Sequence, residues 1–530
     1  MKSLIFTVLS IALLSTISKA QLTSTNLPIV ILTSTAAISD TQKQAAIKIV
    51  DNLSGVNTPF DPAKFEGMIG LKLRGGIANP KSSYSIETWS TPFISLDTSL
   101  LSLPKENDWV LLASYVDRSL MRNLLTNYIH ERMGRYAPRF KLCELIVDNQ
   151  YKGVYLFGEK IKRDTSRLDI ANLKNIDISG DQLTGGYIFT IDDGGTNGWA
   201  SAIAPPFATL GQTINFLYEV PDASVIQIPQ KLYIKAYVDS FESALNGNNF
   251  QDTVIGWRKY GAENSLIDYM IMNELSKDYE AYRKNTYLYK DKLGKLKAGP
   301  MWGNEIAWGN TIDCNSNLAT GWAYELGNVC NMNNKLAPFW WSKLATDVEF
   351  MKALKCRYTE FRKIGNVLDT TKIFQTIDSI STYLNANGAI TRNFTQWPIW
   401  NVPLVNEPTP MSMNHADEIA GMKNYIRTRI AWLDNQWFTL NCVFPTTVKN
   451  SINENEVTLY PIPATDIIHV DLKIKENVQI NLLSIDGKKL MSMNSSSNTN
   501  AINLSSYQKG IYFVEIKCND QVLVKKVIKE

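Results

Sequence analysis

Residues 273–310 read NELSKDYEAYRKNTYLYKDKLGKLKAGPMWGNEIAWGN, and the reading of this stretch decides the fold. It continues a helix in which Leu266, Ile267, Met270, Ile271 and Leu275 share one apolar face at helical spacing. After Leu275 the chain turns polar and acidic, with Asp278 and Glu280 two positions apart. Two strand-like runs follow, 286–290 and 295–298, separated by Leu293-Gly294. The stretch closes on Trp302-Gly303-Asn304-Glu305, a glycine-punctuated acidic turn. A helix end, a hairpin and an acidic turn in that order can set two groups of carboxylates side by side, as a metal or phosphate site requires. An ordinary solvated hairpin has the same pattern, so the flanking sequence must decide.

Upstream, residues 28–220 read mostly as strands. PIVILTS at 28–34 is an apolar β-rich run, and further strands are expected at 68–73, 83–88, 108–113, 140–147, 153–159 and 185–192. The segment 41–50 reads as a short helix or a turn beside a strand. One prominent helix is expected from 120 to 133, begun by Asp117-Arg118-Ser119 and stopped at Gly134. The connection after the second strand carries Arg74 and Lys81. Downstream the pattern turns helical, at 229–245, 260–276, 338–344, 347–364, 370–387 and 415–438. A β-rich part followed by a helix-rich part gives an α+β fold with two lobes and a cleft between them. Beyond a polar linker at 442–456, short strands recur from 457 to 530 with turn residues between them, the pattern of a small all-β sandwich.

Composition narrows the function classes. With 530 residues, 45% hydrophobic and 20% charged, the chain is globular and long enough for two or three domains. A net charge of +3 makes no electrostatic case for nucleic acid. Lys2, the apolar run 4–14 and Ser18-Lys19-Ala20 read as an export signal over residues 1–20. No later run is apolar for the ~20 residues a spanning helix needs. The three histidines, His130, His415 and His469, are scattered and no CxxC occurs, which argues against a zinc site. Six cysteines suit an oxidising compartment, and Cys314 and Cys330 flank a Gly/Asn-rich loop that a disulfide between them would close.

Three stretches together resemble the spore-coat CotH family of kinase-like proteins. They are LPKENDWVLLASYVDRSLMRNLLTNYIHERMGRYAP at 103–138, VDNQYKGVYLFGEKIKRDTSRLD at 147–169, and the stretch quoted first. The resemblance covers residues 28–441. It implies a two-lobed, atypical protein-kinase-like domain with a β-rich first lobe and a helical second. It also implies transfer of phosphate from ATP, with Mg2+, to a hydroxyl of an exported or surface protein. Such chemistry needs a cation on the phosphates, carboxylates for the metal and a base beside the hydroxyl. Magnesium takes oxygen ligands and keeps several waters, so one or two carboxylates suffice.

Carried over residue by residue, the resemblance makes Lys160 and Lys162 of EKIKR nucleotide-site candidates, with Arg74 and Lys81 the other phosphate candidates. Glu159 is placed to orient a lysine. Arg122 and Asn123 match the family's Arg-Asn pair. Glu280 stands where the family has its catalytic aspartate, and Asp278 replaces an asparagine. Gly303 stands where the family has a metal-binding aspartate, leaving Glu305 with Asn304 as the metal candidates. An Asp→Glu change moves a carboxylate outward by about 1.5 Å, and glycine supplies no ligand. A phosphotransferase with a rearranged site and a non-catalytic pseudokinase on the same fold therefore both stay open. The aromatics Trp322, Tyr324, Trp340 and Trp341 either line a substrate surface or pack the helical part.

At the C-terminus, LYPIPATDIIHV, INLLSIDGKKL and INLSSYQKGIYFVEI resemble the type A sorting domain of the type IX secretion system of Bacteroidetes. That implies a protein exported through the periplasm of a Gram-negative bacterium, either secreted or held at the cell surface. The secretion machinery is then a partner.

Overall fold

Period-two alternation of apolar side chains builds the first half of the molecule. The computed structural model describes residues 21–75, 79–193, 195, 197–208, 211–330, 336–404, 406–440, 442, 456–473, 477–484, 489–518 and 521–530. The expected export signal at 1–20, and all of the expected linker except Cys442 and Glu456, lie outside them. The first strands are β1 (Ile29–Ser34), β2 (Lys43–Val50), β3 (Phe65–Arg74), β4 (Ser83–Thr91), β5 (Ile94–Ser95) and β6 (Asp108–Leu112). After α1 (Arg122–Arg132) come β7 (Phe140–Val147) and β8 (Gln150–Glu159). They hydrogen-bond in the order β3-β2-β1-β7-β8-β6-β4, and β3 pairs with β4, so the sheet closes on itself as a barrel with β5 appended. The helix or turn expected at 41–50 is instead the strand β2. Ala45, Ile47 and Ile49 alternate inward there, while Lys48 lies on the other side.

The barrel wall also faces a second core. On β8, Tyr155 and Phe157 fill the barrel, whereas Val154 and Leu156 point into the main core of the unit. Successive strand residues alternate faces, so a strand between two cores is apolar throughout.

The rest of the first unit is β9 (Tyr187–Ile191), β10 (Gly198–Ala200), β11 (Asn215–Val220), α2 (Ile228–Asn246), α3 (Glu263–Ser276), β12 (Thr286–Lys290), β13 (Leu296–Ala298), α4 (Trp340–Leu344), α5 (Val348–Arg362), α6 (Thr370–Asn385), α7 (Ala389–Gln396) and α8 (His415–Trp437). The hairpin β12–β13 joins an antiparallel sheet ordered β10-β11-β9-β12-β13. Helix α3 packs against α1, α5 and α8. A disulfide links Cys314 and Cys330.

A second compact unit begins at Asn441. It contains β14 (Val457–Tyr460), β15 (Ile467–Leu472), β16 (Val478–Leu483), β17 (Lys489–Ser495), β18 (Thr499–Asn503), β19 (Gly510–Cys518) and β20 (Gln521–Lys529). They form a three-stranded sheet, β14-β15-β18, and a four-stranded sheet, β17-β16-β19-β20. Ile468, Val470, Ile480, Leu482, Val514 and Ile516 form its own core. The chain is thus a mixed α/β unit followed by an all-β unit. Among the described residues no helix is long and apolar enough to cross a membrane.

Candidate functional site

The site is built on the C-terminal end of α3. One apolar face was expected for this helix, yet its polar residues are buried as well. Each has a partner. Asp268 takes bonds from Arg135 (2.7 Å) and Arg357 (3.0 Å). Glu274 accepts from Tyr282 Oη (2.9 Å) and the amides of Ala323 (2.7 Å) and Tyr324 (3.1 Å), and pairs with Arg429 (3.3 Å). The helix stops at Lys277, which adopts a left-handed φ of 46°. Its ammonium donates to the carbonyls of Asn315 (3.0 Å), Leu318 (2.9 Å) and Thr320 (2.6 Å). Tyr282 and Asn285 are also left-handed, at φ 67° and 51°. Such conformations cost of order 1–3 kcal/mol each and persist only where the surroundings enforce them.

Asp278 leaves this fixed helix end and is only 2% exposed. Its Oδ1 accepts the Glu280 amide at 2.9 Å, and its Oδ2 lies 3.5 Å from Asn304 Nδ2. Burial, then the negative charges of Glu280 and Glu305, push the Asp278 carboxyl up to about 8. Glu280 accepts from Lys284 Nζ (2.8 Å), Tyr279 Oη (3.2 Å) and Asn285 Nδ2 (3.3 Å). Burial raises the Glu305 carboxyl, opposed by a bond from Asn123 Nδ2 at 2.9 Å. A cavity of ≈ 10 Å³ is lined by Asp278, Glu280, Asn285, Gly303 and Asn304. That is about the space of one water-sized sphere.

Helix α1 holds the acidic turn from behind. Asn123 Oδ1 accepts the Asn304 amide at 2.6 Å. Arg122 Nε donates to the Ala307 carbonyl (3.1 Å), and Thr126 accepts from Trp308 Nε1 (2.9 Å). The Arg122 guanidinium pairs with Asp117 (2.6 Å) and Glu418 (2.7 Å), so its charge is spent on architecture.

Donor chemistry tests the fit to a divalent cation. Among the described residues no group of three or more His, Cys, Asp or Glu side chains is arranged to hold a metal. The set here is mixed: Asp278 and Glu305 supply carboxylates, and Asn304 supplies an amide oxygen. Asn304 Oδ1 is buried and has no hydrogen-bond donor. An orphaned buried acceptor is costly, and a hard cation satisfies it while offsetting the burial and the neighbouring negative charges that raise the Asp278 carboxyl. These three residues fit such an ion.

The expected phosphate-binding cations divide. The Arg74 guanidinium lies over the Trp302 ring, 5.1 Å from its centre, beside Gly303. Lys160 is exposed and acts electrostatically on Glu219, Asp108 and Asp222. Lys162 is committed to Glu106 (2.7 Å), Asn107 (3.1 Å) and Asp108 (2.8 Å). Lys81 is buried, donating to the Val154 carbonyl (2.6 Å) and Asn393 Oδ1 (3.0 Å), and burial drives its amine down to about 7. Glu159 orients no lysine; it pairs with Arg139 at 2.6 Å. The structure thus gathers Asp278, Glu280, Asn304 and Glu305 with Arg74 beside them, and ties Lys81 and Lys162 to other partners.

Three features escape a reading of the sequence. Lys284 and Asn285 bind Glu280 from the start of the hairpin. Asp192 lies close enough that the charges of Lys284 and Glu280 act on it, and burial raises its carboxyl. Gly303 has φ +74°, and a Cβ built on it would meet Asn285 Nδ2 at 2.8 Å. The Asn285 side chain therefore fills the space a side chain at 303 would need. As for the aromatics, Trp340 and Trp341 are core residues, 0% and 1% exposed, and Trp322 stacks on Tyr324 and Trp437.

Two family models match the chain. The CotH kinase protein family matches residues 71–433, and the secretion system C-terminal sorting domain matches 458–530. A comparison with curated proteins gives no match. The second match marks the chain for sorting by the type IX machinery, to secretion or the cell surface. The first spans well over half of the chain, which therefore belongs to the CotH kinase protein family.

Proposed function

We propose that the first unit is a two-lobed, atypical protein-kinase-like domain that transfers phosphate from ATP to hydroxyls of exported or surface proteins. The observation that carries the reading is the meeting of Asp278, Glu280 and Asn304 around one cavity, with Asn304 Oδ1 unpaired and Glu305 near enough for its charge to act on Asp278. Asp278, Asn304 and Glu305 would hold Mg2+. When bound, the ion neutralises charge on the phosphates. Glu280 accepts the proton of the substrate hydroxyl, its carboxylate oriented by Lys284 and Tyr279. Arg74 and Lys160 are the cations left to meet phosphate. The protein leaves a Gram-negative cell through the periplasm, under an export signal at 1–20 and the C-terminal sorting unit.

The test is incubation of the full chain with Mg2+, labelled ATP and surface-protein extract. The expected result is label on protein hydroxyls that disappears in Glu280→Ala. Label that persists in Glu280→Ala, or no label from folded wild-type protein across several divalent metals, overturns the reading.

A second reading is favoured by Asn285, whose side chain takes the place of a missing ligand at 303. On that reading the unit is a non-catalytic surface binding protein. Nucleotide binding is then absent or indifferent to metal.

A further inference from the structure

Helix α1 has a second working side. Asn123 and Thr126 grip the acidic turn, while Leu124, Tyr128 and Arg132, four residues apart in succession, lie on a different face. That face is one wall of a groove of ≈ 780 Å³, whose other wall is α6 with the turn 365–367. The volume is that of a small-molecule pocket, for which the usual range is about 300–1,000 Å³. Ile373 and Ile380 of α6 oppose Leu124 and Tyr128 across it. Among the described residues, the charged side chains lining it are Arg132 and Lys372, both cations. Neither cation has an ion-pair partner among the described residues. Arg132 lies over the Tyr128 ring, 4.7 Å from its centre, which spreads an apolar surface beneath a positive charge.

We propose that this groove binds a small amphipathic anion, an apolar chain or ring carrying an acidic head, and that its occupancy is felt at the acidic turn through α1. The apolar walls take the body of the ligand, and Arg132 and Lys372 take its head. Coupling needs no motion across the domain, because the backbone that carries Leu124 and Tyr128 also carries Asn123. By linkage, a ligand that fixes α1 is itself bound more tightly when the turn is ordered. The inference concerns geometry and stands whether or not the unit transfers phosphate.

The test uses the full chain with decanoate as probe and decanol as its neutral counterpart. Calorimetric titration should give saturable decanoate binding, weaker by at least roughly tenfold in Arg132→Ser/Lys372→Ser, which removes both cations that meet the head. Both residues are exposed, so the variant folds. Decanol should bind more weakly than decanoate. Hydrogen exchange should slow at 304–308 as well as in α1 when decanoate is bound. Absence of saturable binding, equal affinity for decanol, or an affinity unchanged in the double variant overturns the site. Protection confined to α1 and α6 overturns the coupling.

Discussion

Gly303 and Asn285 share one small space, and that contact sets what this site can become. A side chain at 303 meets both a left-handed backbone and the Asn285 amide. Gly303→Asp should therefore destabilise by about 2–5 kcal/mol, summing the left-handed penalty and the overpacking. Gly303→Asp/Asn285→Gly should recover part of that loss, a coupling of about 0.5–3 kcal/mol in a denaturant double-mutant cycle. Strict additivity would show that the two positions do not compete. Asp278 gives a pH prediction. Its carboxyl, ordinarily near 3.8, is held near 8 by burial and by Glu280 and Glu305. Between those values the folded state keeps a proton that the unfolded chain has released. Stability contributed by this group thus falls as pH rises from about 4 to about 8. Urea midpoints across that range should fall less in Asp278→Asn than in wild type, and Mg2+ should flatten the wild-type curve. Parallel curves for the two proteins would contradict the assignment. The order of acids along the chain was legible in the sequence. The fates of Lys81 and Lys162 were not, because their partners Asn393, Glu106 and Asp108 are brought to them only by the tertiary fold.

Helix α3 shows how the element serves the site. Its apolar positions were readable from spacing, but its burial on all sides was not, because Asp268 and Glu274 look like solvent-facing residues until Arg135, Arg357 and Arg429 reach them. Both members of the Glu274–Arg429 pair are 0% exposed. Arg429→Met would leave Glu274 uncompensated, and should cost about 3–5 kcal/mol by chemical denaturation. A loss below about 1 kcal/mol would mean that the pair is not what fixes the helix end. The strand β2 was missed for a simpler reason. Its inward side begins with the small Ala45, so the period-two signal rests on Ile47 and Ile49 alone. The hairpin β12–β13 was legible from its turn, whereas its pairing with β9, some hundred residues upstream, is a long-range fact that local pattern does not carry.

At the scale of the whole molecule, two units each close their own core. The sequence changes from helical to strand periodicity past the polar segment 442–456, and the second unit is built of the short strands β14 to β20. Residues 456–530 expressed alone should fold, giving a β-type circular dichroism spectrum and one cooperative melt; a disordered spectrum would contradict an independent core. The first unit carries the functional claim, namely that Asp278, Asn304 and Glu305 form a cation site beside Glu280. The most direct measurement is calorimetric titration of ATP into the full chain with and without Mg2+, on wild type and on Asn304→Ala. The account predicts saturable binding that requires Mg2+ and weakens at least tenfold in Asn304→Ala. An affinity for ATP that is the same with and without Mg2+, or unchanged in Asn304→Ala, would contradict it.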